Sequence, residues 1–440
     1  MARTLIIDTI KKVGETIKVA GWVQTVRSHG KITFVDLVDR SGTLQAVIEG
    51  DCDLKPFDVV EFEGLAKERP EKLANPNIST GFVELEAQEA TILSKAQELP
   101  IDMGAKDLEL HLPTLLDHRS LTLRHPKIKA IFKVQEALME GFRKAAKEMD
   151  CTEVFVPTIS ASATEGGAEL FRFPYFGNVA YLVQSPQLYK QMMVGAFERV
   201  YLTSHIYRAE PSVTTRHLVE SIQLDFEIGF IEKFEEVLDA LEVSYSILVG
   251  YAQDMCAEEL KLLGVEPSLV SAKVPRLKMR EAQEIVFERT GVDHRNEMDL
   301  MPEDEKEISA WAKEEHNSDL VTITHFPTKK RAFYSMPDPD DPEYTLSFDL
   351  LFKGLEVASG AQRIHNYDKL VETIESRGMD PENFEMYLQA FRYGMPPHGG
   401  FSFGLERTTM KLLNLQNIRE ASLYPRDMER VDFSFSKKGK

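Results

Sequence analysis

Between Ile17 and about Leu93, apolar and polar residues alternate in the runs IKVAGWVQTVR, KITFVDLVD, TLQAVIEG, DVVEFEGLAKE and GFVELEAQEATIL, punctuated by turn residues such as Arg40-Ser41-Gly42. A period of two places successive side chains on opposite faces of a strand, so each run predicts a strand with one buried face. Five strands in so short a span predict a small closed or nearly closed barrel over residues 1–95. From Ser94 to His125 the pattern lapses around Pro100 and Pro113, which reads as a hinge or linker over residues 96–125. The period then changes. Ile131, Val134, Ala137, Leu138, Phe142 and Ala145 recur at helical spacing, predicting a long helix from Ile128 to Met149 that feeds a strand, EVFVPTI, with Pro157 near its end.

Further on, NVAYLVQ, RVYLTSHIYRAE and SIQLDFEIGF read as strands and the segment from Lys233 to about Leu263 as a helix. The stretch from Arg280 to His316, inside a charged helical insertion spanning about 270–320, reads as a solvated helix face without chemistry. LVTITHF, TLSFDLLF and LEVASGAQRIH return to strands, followed by a helix from Asp368 and a strand-to-helix passage in GGFSFGLERTTMKLLNL. Strands and helices in this order predict an α+β second domain, residues 126–440, on a mostly antiparallel sheet flanked by helices.

With 440 residues and 43% apolar content, the chain is long enough for two or three cores. No apolar run reaches about 18 residues and the opening residues do not form a leader, so a cytoplasmic location is expected. Cys52, Cys151 and Cys256 stand far apart in no metal-ligand spacing, so neither a disulfide framework nor a zinc site is supported and buried thiols are the better reading. A net charge of −19 excludes nonspecific coating of nucleic acid, so any nucleic-acid contact has to be local. A small five-stranded barrel of the OB type is one way to make such a contact, and a barrel without a ligand fits the same pattern.

The chemistry concentrates in RAEPSVTTRHLVESIQ, from Arg208 to Gln223, and in GFSFGLER, from Gly400 to Arg407. Both set guanidiniums beside carboxylates, a donor arrangement suited to a nucleoside triphosphate in a chain with neither GxxxxGK[ST] nor a strand-linked GxGxxG. Taken singly, Arg208 and Arg407 read as surface ion pairs with Glu210 and Glu406, and Phe34 as a core residue. Together, VFVPTI, YRAE with TTRHL and LDFE, and GFSFGLER resemble the three motifs of the class II aminoacyl-tRNA synthetases. QSPQLYKQMM, SFDLLFKGLEVASGAQRIH and YGMPPHGG resemble the archaeal-type aspartyl branch in particular, and the likeness runs nearly end to end.

That resemblance implies roles for particular residues. Arg208 and Arg407 match the arginines on the α- and γ-phosphates of ATP, and Glu210 the group that meets the adenine amino group. Arg216, His217, Leu218, Glu356, Gly404 and Glu406 complete the implied ATP site. Asp349, Glu356 and Ser359 match the magnesium positions. Lys190 and Arg363 match the cations that hold the substrate side chain, with Asp225 as the carboxylate that orients them, and Ser359 is included in the aspartate site. Glu165 and Ser185 match positions on the α-ammonium, beside Gln187, which period-two spacing sets on the strand face of Ser185. In the barrel, Arg27, Phe34 and Gln45 match contacts to the anticodon, an aromatic face with edge-reading polar groups.

The implied function is an ATP- and Mg²⁺-dependent aspartate–tRNA ligase that forms aspartyl-adenylate and passes aspartate to the 3′ end of tRNA(Asp). Charging of tRNA(Asn) as well is left open; it would add an amidotransferase as a partner. A homodimer is implied through the first motif. The alternatives are the asparaginyl sister enzyme and a noncatalytic, synthetase-like tRNA-binding protein. Four features depart from the family pattern: Ser402 and Ala361 stand where glycines are usual, Ser221 where an aromatic commonly stacks on adenine, and no proline ends the C-terminal segment.

Overall fold

The alternating runs close on themselves. In this computed structural model, which describes residues 2–76, 78–161, 170–211, 214–270, 273–432 and 434–435, β1 (Thr16–His29), β2 (Ile32–Asp39), β3 (Gly42–Glu49), β4 (Val59–Glu68) and β5 (Val83–Ser94) form a closed barrel in the order β1-β2-β3-β5-β4. Inward positions Val19, Val35, Leu37, Leu44, Phe62 and Leu85 fill it. Closure depends on β1 changing partners, pairing with β4 from Thr16 to Trp22 and with β2 from Trp22 onward. Gly21 sits at that change: a Cβ there would stand 2.3 Å from the Val38 carbonyl oxygen, so only glycine allows the approach. The chain divides into two units, residues 1–106, which hold the barrel, and 107–440.

The second unit is built on an eight-stranded sheet. Its members are β6 (Thr152–Glu153), β10 (Arg199–Tyr207), β11 (Glu220–Gly229), β12 (Arg276–Lys278), β13 (Leu320–Thr324), β14 (Ser347–Phe352), β15 (Glu356–Gln362) and β16 (His398–Gly404), in the order β12-β13-β14-β15-β16-β11-β10-β6. The two end pairs, β12 with β13 and β10 with β6, are parallel and the rest antiparallel. A separate three-stranded sheet contains β7 (Ile159–Ser160), β9 (Asn178–Leu182) and β8 (Arg172–Tyr175).

One face of the large sheet is apolar. Leu224, Phe226, Phe348, Leu350, Phe401 and Phe403 pack there with Val134, Leu138 and Phe142 of helix Pro126–Glu148 and Leu241, Tyr245 and Leu248 of helix Phe234–Met255. The two helices come so close that a Cβ on Gly141 would meet the Leu248 carbonyl oxygen at 2.8 Å. With period two, covering this face commits the alternate residues of each strand to the other face, where the polar groups gather.

Several expectations change in detail. The helix predicted from Lys233 to about Leu263 breaks at Cys256 into Phe234–Met255 and Ala257–Leu263. EVFVPTI pairs only at its edges, in β6 and β7, and the residues around Pro157 lie outside both strands. The expected linker carries helices Leu112–Asp117 and Arg119–Thr122; Arg119 is buried and donates to the carbonyls of Leu423, Ser422 and Glu420 at 2.8, 2.6 and 3.1 Å. The charged insertion is not merely a solvated face, since Met279, Ala282 and Val286 of helix Met279–Thr290 and Ile308 and Ala312 of helix Pro302–His316 share a core with Val321, Ile323 and Leu351. Cys52, Cys151 and Cys256 are all free, and burial pushes the Cys151 and Cys256 thiols up to about 12 and about 11.

Candidate active site

The sheet register assembles the site. Asp225 of β11 pairs with Ser402 of β16, Ser402 with Ser359 of β15, and Ser359 with Asp349 of β14, so four polar side chains form one row on the face opposite the aromatic core. Asp225 Oδ2, Ser402 Oγ and Asp349 Oδ1 are buried and make no well-formed hydrogen bond among the described residues, although the Ser402 and Ser359 hydroxyls lie near enough to pull the Asp225 and Asp349 carboxyls down against burial. Unpaired buried polar atoms are costly, and three in one row mark a surface shaped for a ligand. The serine at position 402 thus adds a hydroxyl to the row.

Two residues along β11, Glu227 shares the polar face. Sequence reasoning missed it. Arg363 donates to Glu227 through Nε at 2.8 Å and Nη2 at 3.2 Å, to the Gly400 carbonyl at 2.9 Å and to Gln187 Oε1 at 3.2 Å. Lys190 donates to Asp225 at 2.9 Å and to the carbonyls of Phe401 and Phe226 at 3.2 and 3.4 Å, and its Nζ lies 3.4 Å from Glu227. Asp225 therefore orients Lys190 alone, and Glu227 is the carboxylate that orients Arg363, correcting the expectation that Asp225 serves both. Lys190, Asp225, Glu227 and Arg363 are 1, 1, 0 and 3% exposed, so the two cations are matched by two carboxylates inside the protein. Burial works to raise the Glu227 carboxyl, but Arg363 and Lys190 hold it below its ordinary value. The three protons of Lys190 have acceptors, whereas Arg363 Nη1 and the buried Gln187 Nε2 donate to none of the described residues. Space for the Glu227 carboxylate comes from Gly400, where a Cβ would lie 2.2 Å from Oε2.

Gln187 and Ser185 are not on a common strand face. Gln187 begins helix Gln187–Phe197 and Ser185 precedes it in a loop, its Oγ accepting the Gln187 backbone N–H at 3.2 Å. Pro186 between them ends the strand pattern that two-residue spacing assumed. Glu165 lies outside the described residues.

Beside the row opens a cleft walled by Arg208, Glu210, Arg216, His217 and Leu218 from the segment between β10 and β11, Glu356 and Ser359 from β15, and Gly404, Glu406 and Arg407 from the passage into helix Leu405–Leu412. Residues some two hundred positions apart in sequence thus face one space. Arg407 Nη1 donates to the Glu356 carbonyl at 3.0 Å and Oε2 at 3.2 Å, and Arg208 lies 3.7 Å from Glu210. His217 accepts from or donates to Thr214 Oγ1 at 2.7 Å; burial and the nearby Arg407 charge hold its imidazole below the ordinary range. Glu406 faces inward instead: it is buried, accepts the Ile222 N–H at 3.1 and 3.2 Å, and burial pushes it up to about 7. Ser221 lines the cleft, and no phenylalanine, tyrosine or tryptophan stands in its described wall.

Asp349 and Glu356 bear on the magnesium expectation. Asp349 Oδ2 accepts from Arg331 Nη2 at 2.6 Å, and Arg331 Nη1 donates to Ser359 at 3.2 Å. Burial pushes the Asp349 carboxyl up to about 6, against the pull of Arg331 and with the Glu356 charge adding to the rise. The described residues contain no cluster of three or more metal-ligating side chains. Two hard carboxylates, one with a buried unpartnered oxygen, fit a cation that takes its other ligands from phosphate and water.

In the barrel, Arg27 pairs across strands with Phe34, and Asp36 with Gln45. Arg27 is held by Asp36 at 2.9 and 3.0 Å, a second residue that the sequence did not bring forward. Phe34 is half-buried with its ring edge-on to His29 at 6.0 Å, and Gln45 is 9% exposed.

An antiparallel sheet that presents paired arginines and carboxylates on one face, in a chain with a five-stranded barrel, defines a nucleotide-dependent ligase of the class II synthetase kind. The model for class II tRNA synthetases of the D, K and N type matches residues 111–428, and that for the OB-fold nucleic acid binding domain matches residues 17–93. The chain belongs to the class II tRNA synthetases. It is 41% identical over 430 residues to the aspartate–tRNA(Asp/Asn) ligase of Thermus thermophilus, covering 98% of this chain and 99% of the relative. It is 40% identical over 430 residues to the aspartate–tRNA(Asp) ligase of Pyrococcus furiosus, covering 95 and 96%. Among solved structures, the asparaginyl-tRNA synthetase of Pyrococcus horikoshii with asparaginyl-adenylate superposes with a TM-score of 0.87 at 31% identity, covering 96% of this chain and 97% of that one. The aspartyl-tRNA synthetase of Entamoeba histolytica gives 0.85 at 28% identity, covering 98 and 93%. Aspartyl and asparaginyl enzymes share this fold, so side chains have to separate them.

Proposed function

We infer that the protein is an aspartate–tRNA ligase that activates L-aspartate with ATP and transfers it to tRNA. The observation that carries this reading is the buried quartet of Lys190, Asp225, Glu227 and Arg363, in which Gln187 Nε2 and Arg363 Nη1 have no acceptor among the described residues. A substrate group meeting these atoms has to accept hydrogen bonds. A carboxylate accepts on both oxygens, whereas an amide presents an NH₂ that finds donors facing it. Aspartate and asparagine have nearly the same shape, so this mismatch and not size has to sort them.

In this reading ATP occupies the cleft. Arg208 steadies the α-phosphate as the aspartate carboxylate attacks in line, Arg407 the γ-phosphate as pyrophosphate departs, and Glu210 the adenine amino group; Arg216, His217, Leu218 and Gly404 shape the remaining wall. Guanidinium forks serve because charge on the phosphate oxygens grows toward the transition state. Asp349, Glu356 and Ser359 would hold magnesium, which neutralises phosphate charge when bound. Glu406 acts at one remove by fixing β11 through the Ile222 N–H. No side chain is needed as nucleophile, since positioning and charge stabilisation carry the step. The 3′-terminal ribose hydroxyl of tRNA then displaces AMP. Arg27, Phe34 and Gln45 would hold the anticodon loop, Glu165 and Ser185 the α-ammonium, and two copies would form the working dimer.

Relatives named for tRNA(Asp) alone and for tRNA(Asp/Asn) lie at nearly equal identity. Aspartylation of the two purified transcripts tests the assignment: charging of tRNA(Asp) is expected, and failure to charge either with aspartate contradicts it. Charging of tRNA(Asn) as well would imply a downstream amidotransferase.

A further inference from the structure

Arg216 meets a residue from a distant part of the chain. Its Nη2 lies 3.0 Å from Glu305 Oε2, and Glu305 stands in the first turn of helix Pro302–His316, in the insertion. Glu305 is only 7% exposed. Its helix is fastened to the site from below: Ile308 and Ala312 are fully buried beside Val321, Ile323 and Leu351, and Ser309 Oγ accepts the Gly354 N–H at 2.9 Å, two residues before Glu356. The Glu305 carboxylate is therefore fixed with respect to the strand that carries Glu356.

Other cations and the carboxylates of Glu356 and Asp349 both stand near the Arg216–Glu305 pair. Lys411 lies one helical turn beyond Arg407 and is half-buried; burial holds its ammonium below the ordinary range, Lys353, Lys306 and Arg216 add to the effect, and Glu305 opposes it. Burial pushes the Glu305 carboxyl up to about 7 against the pull of Arg216, and its ionised form offsets that repulsion. Among the described residues Arg216 Nε, which is buried, and Nη1 have no acceptor, so Glu305 grips one nitrogen of a guanidinium that lines the cleft and leaves its other donors unspent there. A long side chain carries about 2 kcal/mol of rotamer entropy, which a fixed partner removes before a ligand arrives.

We propose that Glu305 is a positioning residue for nucleotide binding, holding Arg216 toward the triphosphate from the insertion. The inference rests on the reading of the cleft as the ATP site. It distinguishes itself from plain charge repulsion by sign: a carboxylate that merely opposed the triphosphate would, once removed, tighten ATP binding, whereas loss of a positioning group loosens it.

The test is aspartate-dependent ATP–pyrophosphate exchange with the full-length protein. Glu305→Ala is expected to raise the KM for ATP about 10-fold with kcat within about threefold, as loss of a group that holds ATP equally in ground and transition states predicts, and to leave the KM for aspartate unchanged. Glu305→Gln, which keeps an accepting oxygen and the side-chain volume, falls between and guards against a folding defect. In the Arg216→Ala background the Glu305→Ala change should add nothing. An unchanged or lowered KM for ATP in both Glu305 variants, or effects that multiply in the double variant, overturns the inference while normal exchange by the unaltered protein upholds the ATP reading. Absence of exchange in the unaltered protein overturns both.

Discussion

Replacing Glu227 by Gln tests the part of the site that sequence reasoning overlooked. Glu227 is fully buried and takes Nε and Nη2 of Arg363 at 2.8 and 3.2 Å with Lys190 Nζ at 3.4 Å. An amide in its place accepts on one side only and turns its NH₂ toward groups that also donate. The variant holds two buried cations against Asp225 alone, and breaking a buried pair in this way costs about 3–5 kcal/mol. Over residues 107–440, an unfolding entropy of about 2 cal/mol/K per residue turns that loss into a fall in Tm of roughly 4–7 °C. Differential scanning calorimetry of the full-length protein near pH 7 reads it directly. The pH dependence supplies a second check. Because the folded Glu227 pKa lies below its ordinary 4.5, its contribution is complete above that value and is lost as pH falls through the folded pKa, so the gap between the two proteins should narrow in acid. A Tm within 1 °C of the unaltered protein, or a gap that widens on acidification, would refute the account of a charge-matched quartet.

Other substitutions probe separate steps. Gly400→Ala should leave little folded, active protein, since its Cβ would sit 2.2 Å from Glu227 Oε2 and 2.3 Å from the Phe226 carbonyl oxygen; soluble protein with normal exchange activity would show that the strands yield. Glu406, pushed up to about 7 by burial from an ordinary 4.5, withdraws about 3 kcal/mol of stability as pH rises between those values. Urea unfolding at pH 5 and pH 8 should therefore show Glu406→Gln gaining on the unaltered protein at the higher pH, and an equal difference at both would contradict the burial argument. Phe34→Ala should weaken tRNA charging by the loss of about 1–3 kcal/mol of stacking while ATP–pyrophosphate exchange stays unchanged; a parallel loss of exchange would remove the anticodon role.

The parts legible in the sequence were those written in local periodicity. Period-two runs gave the five barrel strands and most of the large sheet, and helical spacing gave the Pro126–Glu148 helix within two residues at each end. The split at Cys256 and the interruption of EVFVPTI were hidden because apolar spacing continues through both. Arg208, Glu210 and Arg407, which the motif residues single out, line one cleft. Glu227 and Glu305 stayed out of view for different reasons. Glu227 sits in a strand whose period-two pattern does mark it, two residues past Asp225, but its partner Arg363 is 136 positions away. Glu305 lies in a run of acids that reads as solvated surface, and only the packing of its helix against β13 and β14 turns it and Asp304 inward. Two-residue spacing from Ser185 predicts a strand position for Gln187, but Pro186 interrupts the strand and Gln187 opens a helix.

Selection of an acidic amino acid is the claim on which the functional reading depends, and exchange kinetics with the two near-isosteric substrates measure it most directly. Aspartate should support ATP–pyrophosphate exchange with kcat/KM about 10⁴-fold above that for asparagine, the scale of discrimination when an unmatched substrate leaves buried polar groups unpaired. Exchange with asparagine at equal efficiency would contradict it, and at greater efficiency would assign the site to the amide.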